Sequence, residues 1–256
     1  MNPKKLLSLL FLFLVLSGCT KDDPAGSTKI DKTANLKALG TSATDLLSDE
    51  KFTSIRVEMV YVTGFEPSQK TIDNLRSFLQ QRTHKPDGIT IFKRAVPSSN
   101  KAPFVINEIV QIEADNRTAF NAGDEIAVYI YFADGSNEND TNTKIVLGSA
   151  YRNTSMVIYG KTVQMISNRL NSPDKSTVES TVVNHEFGHL FGLVNLGSPL
   201  QSDHEDDGSN GHCEVEGCLM NANVQFGQNL EDMLDGNNLP KLDDLCIMDL
   251  QANGGK

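Results

Sequence analysis

A chain of 256 residues with 39% hydrophobic and 22% charged residues has enough apolar material for one large core. Its formal net charge of -10 excludes nucleic acid as a partner, because a polyphosphate would be repelled. Of the four cysteines, Cys213, Cys218 and Cys246 cluster in the last quarter, and an odd trio leaves one thiol over in any pure disulfide framework.

Lys4 and Lys5 precede an apolar run from Leu6 to Leu16, which ends in Leu16-Ser17-Gly18-Cys19. The run is about 11 residues, short of the roughly 20 that a spanning helix needs, so residues 1–18 read as a signal peptide. Its ending resembles the lipobox of bacterial lipoproteins, which implies lipidation of Cys19 and attachment to a membrane. Thr20-Lys21-Asp22-Asp23 resembles the Lys-acid-acid signal of Bacteroidota-type surface lipoproteins. The implied address is the outer membrane, on the cell surface or otherwise its periplasmic face. Residues 19–50, rich in Asp, Lys, Ser, Thr and Ala, read as a lipidated cysteine and a flexible tether with a short helix near its end.

One domain is predicted over 51–256, with a C-terminal subdomain from about 193. Ile55, Val57, Met59 and Tyr61 alternate as in a half-buried strand closed by Gly64. Ile72, Leu75, Phe78 and Leu79 then take helical spacing, a second strand runs from Ile89 to Val96, and a second helix lies between Pro103 and Thr118. A third strand spans Asp124 to Asp134, and two strand-like runs follow at Ile145 to Ala150 and Ser155 to Ile158. Past the polar break around Pro173, the longest helix is predicted from Asp174 to about Val194. Gly197 to Gly211 has loop composition, and its acidic run at 203–207 lacks calcium-loop spacing, so it reads as solvated surface.

The long helix carries His185-Glu186-Phe187-Gly188-His189, the H-E-x-x-H pattern. Residues four apart on a helix differ by about 40° around the axis and about 6 Å along it, so both imidazoles can reach one ion. Zinc accepts neutral imidazole nitrogen, and three protein ligands leave an open position. Glu186 is placed to act as general base, taking a proton from attacking water and handing it to the leaving amine.

With Gly192 three residues on, the motif becomes H-E-x-x-H-x-x-G and resembles the metzincins. In that family the glycine turns the chain so that a ligand three residues later reaches the zinc; here that position is Asn195, a poor ligand. His212-Cys213, Cys218 and Met220 resemble the archaemetzincin signature H-C-x4-C-x-M, about 17 residues later than the family places it. The resemblance implies His212 as third ligand and Met220 as the Met-turn residue beneath the metal. His204 is the alternative ligand, and Asp203 or Asp206 could instead complete a two-histidine site. The histidine left over reads as a solvated loop residue or a substrate contact.

Archaemetzincins bind a second, structural zinc through the two cysteines of this signature and a later C-x-x-C pair. Here Asp243 stands in the place of the first cysteine and Cys246 in that of the second, so the implied set is Cys213, Cys218, Asp243 and Cys246, with Asp249 as another donor. A Cys213–Cys218 disulfide is the rival reading. The resemblance also implies an α/β (α+β) fold: a metzincin-like twisted mixed sheet with backing helices and an active-site helix, then an irregular C-terminal subdomain. The implied activity is that of a monomeric zinc metalloendopeptidase acting on a protein or peptide, with an extended substrate adding to the edge run Ile145 to Tyr159. A zinc-containing binding or adhesion lipoprotein with weak catalysis, and a non-peptide zinc hydrolase, are the competing readings.

Overall fold

The computed structural model describes residues 31–141, 144–169, 172–226 and 238–256; the signal-peptide and Cys19 readings lie outside the described residues. Strands β1 (Ser54–Val62), β2 (Gly88–Val96) and β3 (Glu125–Ala133) lie where the sequence predicts them. Helices α2 (Gln69–Arg82) and α3 (Ile106–Asn116) connect them, preceded by a short α1 (Ala43–Leu47). Strands β4 (Gly148–Arg152) and β5 (Ser155–Tyr159) complete a five-stranded sheet in the order β2-β1-β3-β5-β4. All pairs are parallel except β4 with β5, so an antiparallel edge strand closes a parallel sheet.

The sheet order follows from connection handedness. From β1 the chain crosses through α2 to β2 on one side, then returns through α3 past β1 to β3. Right-handed crossovers in opposite directions place the two helices on opposite faces. One core accordingly joins Leu75 and Leu79 of α2 to Val57, Met59, Ile130 and Phe187, while the other joins Ile109 and Ile112 of α3 to Val60, Tyr129 and Tyr131. Buried on both faces, β3 is apolar almost throughout rather than alternating.

Helix α4 (Gly160–Ser167), which the sequence pattern had not suggested, leads from β5 toward α5 (Lys175–Leu190). The Asp174 side chain caps α5 by accepting from Thr177 N–H at 2.8 Å. Helix α5 ends four residues short of the predicted Val194, and it is buried along nearly its whole circumference, polar residues included. Glu179, for example, accepts from Thr71 Oγ1 at 2.9 Å and pairs with Lys175 Nζ at 3.0 Å. The short α6 (Ala222–Phe226) and α7 (Asp244–Ala252) are likewise unpredicted helices.

Two further expectations need correction. The tether was expected to reach residue 50, yet Leu46 and Leu47 lie in the core and Asn35 is fully buried. The Asn35 amide donates to Asn121 Oδ1, Ala127 C=O and Thr154 Oγ1 at 2.7, 3.0 and 3.1 Å, so the packed body begins well before residue 50. The run Ile145 to Tyr159 was expected to form the edge; only β4 does so, because β5 is paired on both sides. Among the described residues no helix is long and apolar enough to cross a membrane.

Candidate metal centre

Helix α5 presents His185 and His189 on one face, with ring centroids 4.7 Å apart. His212 completes a trio, its ring 5.3 Å from His185 and 5.0 Å from His189. One ring nitrogen from each lies within 4.8 Å of the others, all three residues being buried.

Local geometry explains how a chain with Asn195 in the expected position delivers His212. Gly192 has φ +70° and lies so close to the returning chain that a Cβ would sit 2.7 Å from Ser198 N, so only glycine turns here without strain. Val194 and Asn195 follow at φ 52° and 65°. The Asn195 amide is thereby turned to the loop, donating to Glu205 Oε2 at 3.2 Å. The loop beyond is braced from within: Gly211 N–H donates to Glu205 Oε1 at 2.8 Å, and Asp206 N–H to His212 C=O at 2.8 Å.

The imidazoles are oriented by backbone oxygens. His185 Nδ1 is 2.6 Å from Leu219 C=O, and His212 Nδ1 is 3.2 Å from the carbonyls of Ser209 and Asn210. A carbonyl can only accept, so Nδ1 carries the proton in each and Nε2 keeps a free lone pair. His185 Nε2, His212 Nε2 and His189 Nδ1 are all buried with no hydrogen-bond partner among the described residues. Burial pulls the His185 pKa down to about 3, with the neighbouring His212 adding to the effect. It likewise holds His189 well below its usual value and lowers His212. Three neutral, buried imidazoles with unmet nitrogens fit a borderline-soft divalent cation such as zinc.

Glu186 projects from the same helix toward β4. Its Oε2 accepts from Ala150 N–H at 2.7 Å, and its Oε1 is buried without a partner among the described residues. Burial raises its pKa to about 8, against the opposing pull of that Ala150 hydrogen bond. The approach of β4 requires Gly148, since a Cβ there would sit 2.7 Å from Glu186 Oε1. Met220 lies beneath the helix, its Sδ 2.1 Å from where a Cβ on Gly188 would be.

A second cluster gathers Cys213, Cys218, Cys246 and Asp243, one ligand atom of each within 4.8 Å of the others. The three cysteines are free thiols, without the Cys213–Cys218 disulfide of the rival reading. Cys218 and Cys246 sulfurs are 3.7 Å apart, and the Cys213 thiol donates to Asp243 Oδ2 at 3.3 Å. Asp243 divides its carboxylate, since Oδ1 caps α7 by accepting from Cys246 N–H at 2.8 Å. The Cys218 sulfur is held at a pKa of about 3, first by the Cys213 thiol and then by Cys246, whereas the other two thiols are pushed up. Three sulfurs and a carboxylate also suit tetrahedral zinc.

His204 belongs to neither ligand group. It was expected to be a ligand or a solvated residue, but it is fully buried, with Nε2 2.9 Å from Asp249 Oδ2 and Nδ1 3.3 Å from Cys213 Sγ. Asp249 in turn serves His204 and, through Oδ1, Gln201 N–H at 2.6 Å, which places it beside the thiols rather than among them. The Ala150 N–H and the Leu219 carbonyl are backbone groups that motif reading passed over. Gly148 inside a strand was the available hint of a close approach.

No family model and no curated protein matches the sequence. Among solved structures, archaemetzincin from Methanopyrus kandleri aligns with a TM-score of 0.51 and 17% identity, covering 78% of this chain and 96% of that one. Metalloproteinase-II from Bacteroides fragilis aligns with a TM-score of 0.39 and 13% identity over 83% of this chain and 61% of that one. The five-stranded mixed sheet, its helices and the order in which they occur thus make this an archaemetzincin-like fold.

Proposed function

We propose that this chain is a zinc-dependent metallopeptidase that cleaves peptide bonds within a protein or peptide substrate. The observation that carries the reading is the convergence of His185, His189 and His212, with unmet buried ring nitrogens, beside Glu186. Those three histidines would hold the catalytic zinc. When bound, zinc supplies Lewis acidity that makes water a stronger acid and a carbonyl a better electrophile.

The remaining chemistry belongs to the chain. Glu186, steadied by Ala150 N–H, accepts a proton from the attacking water and passes it to the departing amine. Leu219 and the 209–210 carbonyls hold His185 and His212 in the tautomer that points Nε2 inward. Met220 supports the helix from beneath. The free edge of β4, next to Glu186, offers backbone groups on which an extended peptide can add as a strand. An open edge of this kind favours endopeptidase action over removal of terminal residues.

Cys213, Cys218, Cys246 and Asp243 would hold a second, structural zinc. The signal-like start and the lipobox-like ending at Cys19 support an outer-membrane lipoprotein. The decisive experiment combines peptide hydrolysis with metal content. Glu186→Gln is expected to keep zinc and lose nearly all hydrolysis, and His212→Ala to lose both. His204→Ala is expected to retain the catalytic metal. Full activity in Glu186→Gln would overturn the proposal.

A further inference from the structure

Away from the imidazoles, α2, α5 and the stretch 238–242 line a cavity of about 670 Å³, a size typical of small-molecule sites. Its walls include Asn74, Ser77, Phe78, Arg82, Asn184 and Lys241. Among the described residues that line it are two cations and no carboxylate, in a chain of net charge -10. Asn184 is only 4% exposed, and its Oδ1 finds no donor among the described residues. Arg82 Nε is likewise buried without an acceptor among the described residues, and burial lowers the guanidinium pKa.

A buried amide oxygen and a buried guanidinium N–H each cost free energy while unmet, and they need opposite partners. A simple anion would satisfy the arginine alone; a neutral amide, with both an N–H and a carbonyl, could meet both groups but would leave the two cations of the wall unopposed, which an added carboxylate opposes. We propose that this cavity binds a small carboxylate that also carries an amide N–H, with the carboxylate on Arg82 and the N–H donating to Asn184 Oδ1. A planar carboxylate matches the guanidinium fork, and the Phe78 ring adds an apolar wall. This chemistry occurs in two sources, the C-terminal end of a short peptide and a free N-acylated amino acid. The inference rests on the cavity alone and stands whether or not the metal centre hydrolyses peptides.

The test titrates the purified full chain, with its bound metal, with N-acetylglycine and with acetyl-Ala-Ala-Gly, using calorimetry for affinity and backbone amide resonances for location. Saturable binding is expected, with shifts centred on Ser77, Arg82, Asn184 and Leu242. Arg82→Met removes a charge-assisted hydrogen bond and should weaken binding at least about tenfold. Asn184→Asp keeps the shape but replaces a neutral amide with a like charge, and should weaken it comparably. The C-terminal amides of both probes should bind at least about tenfold more weakly than the acids. Tighter binding of the tripeptide assigns a peptide end, and equal affinity assigns the free acylated amino acid. The two variants lie on different helices, and thermal melting checks that each is folded. The proposal is overturned by binding that neither variant weakens, by shifts centred on His189 and His212, or by tighter binding of inorganic phosphate.

Discussion

Replacing Glu186 by Gln in chelator-treated protein changes a charge state while nearly preserving shape, so it isolates what burial of this carboxyl costs. The folded pKa of about 8 exceeds the ordinary value of 4.5, so the folded state binds the proton more tightly than the unfolded chain. Stability from this group is therefore present below pH 4.5, is lost as pH rises toward 8, and levels off above. At about 1.4 kcal/mol per factor of ten in proton affinity, the full cost above pH 8 is about 5 kcal/mol. The side chain is fully buried, which leaves little solvent screening, although relaxation toward the cleft brings the measurable figure to about 2–4 kcal/mol. Gln avoids this cost and can still accept from Ala150 N–H. Urea denaturation at pH 8.5 should therefore show Glu186→Gln more stable than the parent by that amount, and at pH 5 the gap should shrink below about 1 kcal/mol. Equal stability at pH 8.5, or the same gap at both pH values, would refute the reasoning.

The buried histidines act in the opposite direction. Their folded pKa values lie below 6.5, so the unfolded chain binds protons more tightly, and metal-free protein should lose stability as pH falls from about 6.5 toward 3, most visibly in Glu186→Gln. Denaturation midpoints measured from pH 7 down to pH 4 check this, and a flat profile would contradict it. Gly188→Ala gains about 1 kcal/mol of helix propensity but drives a methyl into Met220 Sδ at a cost of about 1–3 kcal/mol. A net loss of about 1 kcal/mol is expected by thermal melting, with the double change to Gly188→Ala and Met220→Ala costing less than the sum of the two. Asp249→Ala strips the acceptor from buried His204, worth about 1–3 kcal/mol when left unmet, and the one from the more exposed Gln201 N–H, worth about 1 kcal/mol. A loss of about 3 kcal/mol is expected in chemical denaturation, with Asp249→Asn recovering part of it; an unchanged midpoint would show that the pair is not a structural anchor.

What the sequence by itself determined is what local geometry controls. The i, i+4 spacing of His185 and His189 puts two imidazoles on one helix face, Asp174 caps the helix that carries them, and the alternation from Ile55 to Tyr61 specifies a strand. Each needs only a few neighbouring residues and the helical or extended period. Gly192 announced a turn for the same reason. The His212-Cys213, Cys218 and Met220 spacing was also legible, as a resemblance rather than a derivation. Helices α4 and α7 escaped periodic reading: α4 is a short helix of eight residues, and α7 buries Cys246 and Asp249, residues whose reason for burial lies elsewhere in the chain. Only the tertiary structure decided which of His204 and His212 joins the imidazole pair. That choice depends on a loop braced by Glu205 and on Asp249, 45 residues beyond His204, drawing the other histidine to the thiols. It also decided that β4 lends Ala150 N–H to Glu186, and that Asn35 ties the supposed tether into the body. Most of these contacts join residues far apart in the chain through isolated side-chain hydrogen bonds, and such bonds leave no period in the sequence to read.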